Sequence, residues 1–477
     1  MTACRIALVR YTPDYFLPFG RGLEAAGFEV NWINSLAVDC QTLAQAGIPA
    51  CQVLDTTAGF DATRMQPEEV RRTLGALEQA VDGPRIHDII LMDRLLRRKP
   101  LAFALSYLAH VAQTVEAFLL ARRIDLVTSG RDTALQIVTM LVCRRLGIPW
   151  VVPTRARIPQ EMYGFCQRHD TEGLIRIRGV NDADRAWAAD CLAQFSQRTL
   201  RPALKKSARG FGDVLRLLPG HLRVFAYELM RSSADRGRDH VRYTVPRLVG
   251  MYLQRRLNML SYKLRPPYRA PGTTPFALYA LHTQPESSID VVGSYFSDQV
   301  HLVRSIARSL PATHELYVKV HPTDVDGKPA SFYKALAEIP GVRLIGHQVD
   351  SRELLQKMSL LFALSGTIAY EAGLMGRPVI AFARNYFNSL PTIRHCTDMT
   401  ALPALVARQL DAAPPADLQP RLIDFLAELR ACCFEGEVNR TYGASTTGLS
   451  AGDLAGLQLA YRSLAQVLLA DRGDVAA

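Results

Sequence analysis

The chain has 477 residues, 48% apolar and 21% charged, so it is a globular protein too long for one ordinary core, and bulk disorder is excluded. No uninterrupted apolar run reaches about 18 residues and the N-terminus has no signal-like core, so a cytoplasmic protein is expected. The nine cysteines show no CxxC pair and no repeated spacing, which argues against a disulfide or zinc framework.

The first apolar run is Ile6 to Val9, followed by an expected helix over Pro18 to Ala26, the stop at Gly27, and a second strand from Phe28 to Ile33. A long helix is expected over Leu101 to Arg122. Strand Leu126 to Thr128, the turn Ser129-Gly130-Arg131-Asp132, a helix over Thr133 to Leu146, Gly147 and strand Trp150 to Val152 complete the rhythm of a doubly wound parallel sheet. This first unit is assigned to 1–195.

Residues 196–272 break the rhythm. Between Arg198 and Arg269 stand 17 Lys or Arg against 4 Asp or Glu, a local net of +13, so the remainder of the +11 chain is near −2. The segment reads as a basic helical insertion and linker, with an amphipathic helix over Val241 to Tyr262 and a stop at Arg265-Pro266-Pro267. Such a patch has two readings, peripheral contact with the anionic inner-membrane surface or a solvated helical surface; no nucleic-acid motif accompanies it, so nucleic acid is not an expected partner.

A second alternation fills 273–415. Strands are expected at Phe276 to Ala280, Leu316 to Val320, Val342 to Ile345, Leu360 to Leu364 and Val379 to Ala383. Helices are expected over Val291 to Leu310, Ala330 to Ala337, Arg352 to Met358 and Ile368 to Met375. Two further helices, Pro420 to Cys432 and Gly452 to Leu469, occupy 416–477 and are candidates to pack back on the first lobe. The fold class is therefore α/β, with two Rossmann-like doubly wound parallel-sheet lobes facing a central cleft.

In such sheets ligands bind beyond the carboxyl ends of the strands. After the first strand of the second lobe comes His282-Thr283-Gln284-Pro285-Glu286, placing Gln284 and Glu286 at the lip, with a helix-capping turn as the alternative. The next strand ends Lys319-Val320-His321-Pro322, a cation and an imidazole suited to a phosphate leaving group. Ser365-Gly366-Thr367 opens a helix whose N-terminus favours an anion, and Glu371 one turn inside is placed to meet a ribose hydroxyl. Asp324-Val325-Asp326 resembles a metal-binding DxD, but its Gly- and Pro-bounded setting reads as a turn of solvated carboxylates, and no metal and no cofactor is expected. Gly20-Arg21-Gly22 lacks the dinucleotide spacing.

The set His282-Thr-Gln-Pro-Glu286, Lys319-Val-His321-Pro322 and Ser365-Gly-Thr367 resembles bacterial capsule and surface-polysaccharide glycosyltransferases with QPE and HP motifs, the retaining β-Kdo transferases of GT-B fold, over about 275–385. The resemblance implies transfer of Kdo from the nucleotide sugar CMP-β-Kdo to a glycan or lipid-linked saccharide of capsule, lipopolysaccharide or O-antigen. It implies that His321, Ser365 and Thr367 hold the nucleotide phosphate, with Gln284, Lys319, Gly366 and Glu371 beside them, and that Glu286 is the nucleophile of a double displacement. Retention needs a second group for the acceptor hydroxyl; Asp132 and Glu161 in the first lobe are the two candidates, and Arg131, Arg155 or Arg157 are candidates for the sugar carboxylate. Two other readings stand beside this one: a UDP-sugar or CDP-glycerol donor on the same fold, and a non-catalytic subunit of a polysaccharide assembly.

Overall fold

The computed structural model describes residues 3–80, 83–159, 161–197, 237–264, 268–321, 324–436 and 450–470. The first lobe runs β1 (Arg5–Val9), α1 (Pro13–Ala25), β2 (Glu29–Asn34), α2 (Ala37–Gln45), β3 (Val53–Asp55), α3 (Pro67–Ala80), α4 (Ile86–Met92), α5 (Leu101–Ala121), β4 (Leu126–Ser129), α6 (Ala134–Arg145), β5 (Trp150–Arg155) and β6 (Met162–Cys166). Helix α7 (Asp182–Ser196) and, after the undescribed 198–236, α8 (Val245–Leu264) lead to the second lobe. That lobe runs β7 (Phe276–Ala280), α9 (Ser287–Asp290), α10 (Gln299–Ser309), β8 (Glu315–Lys319), α11 (Ala330–Ala337), β9 (Val342–Ile345), α12 (Ser351–Lys357), β10 (Leu360–Ala363), α13 (Thr367–Leu374), β11 (Val379–Ala381), β12 (Ile393–His395) and α14 (Leu402–Asp411). Then follow α15 (Leu418–Cys432), β13 (Phe434–Glu435) and α16 (Ala451–Leu469).

The second sheet has the order β12-β11-β10-β7-β8-β9, every neighbouring pair parallel. The first has the order β13-β6-β5-β4-β1-β2-β3, parallel except at β5-β6 and β6-β13. In each, strand order reverses beside the first strand, between β1 and β4 and between β7 and β10, which opens a crevice at the carboxyl ends there. The strands are apolar because both faces are covered: Ile6, Ala7, Leu8 and Val9 are fully buried, as are Leu360, Leu361 and Phe362. These are the two lobes of a GT-B fold.

Contacts between the lobes centre on the β5-β6 turn. Ala156, Ile158 and Met162 share one apolar cluster with Tyr370, Tyr386 and Phe387; the Tyr370 hydroxyl donates to the Ile158 carbonyl at 3.0 Å and the Tyr386 hydroxyl to that of Ala156. Helix α15 packs on α7, and α16 lies on the first lobe, where the Tyr461 hydroxyl is 2.8 Å from that of Thr128 and its ring contacts those of Phe19 and Phe165. Helix α5 is long and apolar enough to cross a membrane, with half of that stretch buried against the lobe. Ser106, His110, Gln113 and Glu116 interrupt its apolar residues, so the sequence shows no unbroken run there.

Several elements differ from expectation. Helix α1 begins at Pro13, five residues early, because Pro18 is carried inside it. The helix expected over Val291 to Leu310 begins only at Gln299: the one-turn α9 ends before it at Asp290, a 3-10 turn occupies Ser294–Phe296, and Asp298 accepts from the His301 amide at 3.0 Å at the start of α10. A sixth strand, β12, is too short at three residues to leave a period. The amphipathic helix of the basic insertion is Val245–Leu264, and the rest of that expectation, 198–236, lies outside the described residues.

Candidate active site

The chain after β7 is fixed by α10. Gln299 accepts from the His282 amide at 2.8 Å, and its own amide donates to the His282 carbonyl at 3.0 Å and to Gln284 Oε1 at 3.2 Å. The His282 ring lies against Gly366, where an added Cβ would stand 3.4 Å from its Cε1. His282 is 8% exposed and its Nε2 is buried with no hydrogen-bond partner among the described residues. Burial first, then the neighbouring His321 and Arg157, push its pKa down to about 3, so the ring is neutral.

Gly366 caps α13 in extended backbone, and Ser365 donates its hydroxyl to the Ser288 carbonyl at 2.9 Å, tying this loop to α9. At the start of α9 stands Glu286, exposed to the cleft. Crowding by the surrounding protein raises its pKa above the usual glutamate value; Ser288, Arg157 and Arg94 pull it back and Asp132 pushes it up. His321 Nδ1 lies 3.2 Å from the Thr283 hydroxyl, and burial, then Lys319, lowers its pKa. Lys319 is buried beneath them, donates to the His347 carbonyl at 3.4 Å, and has its pKa lowered to about 8 by burial.

The first lobe supplies the cations. Arg157, at the β5-β6 turn with φ +68, reaches across the junction: its Nη1 donates to the Ser365 carbonyl at 3.0 Å and to the Thr367 hydroxyl at 3.3 Å, and its guanidinium lies 5.4 Å from the Phe387 ring centre. A non-glycine residue in this backbone region is strained, and such strain concentrates at functional sites. Burial, then the nearby Arg155 charge, lowers the Arg157 pKa, and burial, aided by Arg157, lowers the Arg131 pKa to about 10. Of the three, Arg157 is the guanidinium with a contact at the α13 N-terminus, an arrangement chemically suited to an anion.

Asp132 is held on the other side of Glu286. Gln136 reaches back from α6 to accept from the Asp132 and Thr133 amides at 2.7 and 3.1 Å, and Gly130 leaves room for that side chain, since a Cβ there would lie 2.5 Å from its Nε2. Arg94 donates to both Asp132 oxygens at 3.0 and 2.8 Å and to the buried Asp290 of α9 at 3.2 Å, a second link between the lobes. Glu161 lies apart: its carbonyl accepts from the Gly436 amide at 2.8 Å at the β6 edge, its side chain is exposed, and among the described residues no hydrogen bond or ion pair joins it to the cleft.

With this geometry in place, the chain can be set beside known proteins. Residues 250–392 match the model of the family described as capsule polysaccharide biosynthesis protein. The matched segment, under a third of the chain, runs from within α8 to the residue before β12 and contains Glu286, His321 and the 365–367 loop. No curated protein matches the chain. Among solved structures, the β-Kdo 2,7 transferase KpsC of Thermosulfurimonas dismutans is 11% identical, with 73% of this chain and 89% of that one covered and a TM-score of 0.33. A glycosyltransferase of Rickettsia africae is 10% identical over 98% and 99%, TM-score 0.29, and the UDP-GlcNAc 2-epimerase of Methanocaldococcus jannaschii 13% over 87% and 94%, TM-score 0.26.

Within the matched segment two residues differ from expectation. Asp324 is not a solvated turn carboxylate: it is 3% exposed, accepts from the Gln284 amide at 3.3 Å, and burial raises its pKa to about 6. Gln284 spends its side chain inside the lobe, donating to the Ser297 carbonyl at 3.0 Å and accepting from Lys328 at 2.7 Å, which shapes the loop that carries Glu286. The reading also passed over His282 as a site residue and Arg94 altogether. His282 had a signal, as the second residue past the strand beside the switch point; Arg94, in a loop of the first lobe, had none.

Glu371, on α13 one turn past Thr367, has its pKa raised to about 7, by burial first; Arg352 lowers it and Asp350 raises it. The fold therefore favours the neutral acid. That contribution to stability is fully present below the unfolded value near 4.3 and is lost as pH rises through about 7. Glu371→Gln is accordingly expected to melt with the wild type at pH near 4 and above it at pH near 8, by roughly 1–3 kcal/mol. Thermal melts across that range check it; equal melting at the upper pH contradicts it.

Proposed function

We propose that the protein is a glycosyltransferase of capsule or surface-polysaccharide synthesis that takes a nucleotide-activated acidic sugar, CMP-β-Kdo, and transfers it with retention of configuration to a saccharide acceptor without a metal. The observation that carries this reading is the cross-lobe contact of Arg157 with Ser365 and Thr367, which sets a guanidinium at the N-terminus of α13, where the neutral His282 lies against Gly366, and within electrostatic reach of Glu286. The capsule-family match over the same segment supports it.

In this mechanism the donor phosphate lies at the 365–367 loop, where Arg157 and the α13 N-terminus neutralise it and His282 Nε2 and His321 donate hydrogen bonds. Arg131 and Arg155 hold the sugar carboxylate. Ionised Glu286 attacks the anomeric carbon as the bond to phosphate breaks and CMP departs, giving a glycosyl ester. The acceptor hydroxyl then attacks that carbon, returns the carboxylate, and gives its proton to a base, for which Asp132 is the choice because it stands close enough to Glu286 to act on its titration and Glu161 does not.

Incubation with CMP-β-Kdo and an oligosaccharide acceptor tests this. CMP release coupled to a β-linked product is expected. Turnover of a UDP-sugar instead, an inverted linkage, or no turnover with any donor would replace the reading.

A further inference from the structure

Of the thirteen exposed large hydrophobic side chains among the described residues, six lie on α8: Val249, Tyr252, Leu253, Leu257, Leu260 and Leu264. Leu257 is 62% and Leu264 72% exposed, so this is an open apolar face and not the rim of a core. Soluble surfaces carry such residues singly; a continuous row marks a contact. At about 100° per residue, Val249, Leu253, Leu257, Leu260 and Leu264 fall within an arc of roughly 80°. The helix is held to the protein from the opposite side, where Asn258 donates to the Asp326 carbonyl at 3.1 Å and the Tyr262 hydroxyl lies 3.2 Å from His347 Nδ1.

Charge decides what covers this row. The helix has four cations, Arg247, Arg255, Arg256 and Lys263, and no acidic residue. Arg256 and Lys263 line one edge of the apolar arc, within about 40° of Val249, and Arg256 lies 4.8 Å from the Tyr252 ring centre. An apolar stripe edged by cations and backed onto a folded domain is the form of a helix lying in the headgroup region of an anionic bilayer.

We infer that α8 is a membrane-docking helix, with Leu253, Leu257 and Leu260 entering an anionic lipid surface and Arg256 and Lys263 pairing with its headgroups. This goes beyond the transfer reaction and does not depend on the donor. Asp326 and His347 follow β8 and β9, so docking sets the carboxyl ends of the second sheet, and the cleft with them, beside the lipid. An acceptor carried on a lipid then meets the site without leaving the membrane.

The test is flotation of the full chain with phosphatidylcholine vesicles, with and without phosphatidylglycerol. The wild type is expected to float with the anionic vesicles and to be released by high salt. A Leu253→Glu, Leu257→Glu variant and an Arg256→Glu, Lys263→Glu variant, each with wild-type circular dichroism and melting, are expected to partition roughly tenfold less or weaker still. Failure of the wild type to float overturns the proposal. So does a soluble oligomer that the leucine variant dissociates, which would make the row a contact between copies. If a variant unfolds, the salt and lipid dependence of the wild type still decides.

Discussion

Glu286→Gln is expected to lower sugar transfer by about four orders of magnitude while leaving nucleotide binding near wild type, because the amide keeps the size of the group and removes the attacking electron pair. The structure sharpens this through pH. Crowding raises the Glu286 pKa, and only the ionised form attacks, so activity falls as pH drops through that raised value. The acid limb of kcat/KM is therefore expected above the roughly 4.3 of an unperturbed glutamate. A pH profile together with mass spectrometry of protein incubated with donor alone checks both points: an ester on the peptide holding Glu286 is expected in the wild type. Full activity in Glu286→Gln, or an adduct on another residue, would remove Glu286 from the nucleophile's role.

Arg157→Ala is expected to weaken donor use by roughly a hundredfold or more, the usual cost of removing one preorganised cation from a developing phosphate charge. Its second effect separates a role in the site from one in folding. Arg157 pulls the Glu286 pKa down, so its removal is expected to move the acid limb of kcat/KM to higher pH. Arg157→Lys keeps the charge but loses the planar fork and its stacking on Phe387, and is expected to restore the pH profile better than the rate. An unmoved acid limb with a lowered melting temperature would make Arg157 a clamp between the lobes only.

The second lobe was the more legible half because its strands are bounded by Gly, Pro and cap residues at nearly every end. Helix Ala330–Ala337 and strand Val342–Ile345 lie where the period places them. The first lobe hides more: β3 has three residues and β13 two, lengths that leave no alternation to detect, and β6 is recognisable only through its antiparallel pairing with β5. At the site, residues directly after strands were visible, since strand-end position alone nominates Glu286, His321 and Ser365. What no spacing revealed is how the lobes meet. Arg94 lies 196 positions from Asp290 and Arg157 lies 208 from Ser365, and pairings at such separations are set by docking of the two sheets. Likewise Asp324 read as a turn carboxylate because turns are usually wet, and its burial comes from a packed neighbour, the loop at Gln284.

The position of the nucleotide phosphate at the 365–367 loop is the claim on which the rest depends, and isothermal titration of CMP, UMP and CDP against the wild type and His321→Ala tests it most directly. The account predicts selective binding of CMP by the wild type and loss of roughly tenfold or more of that affinity in the variant. Preference for UMP, or CMP binding that His321→Ala leaves intact, would contradict it.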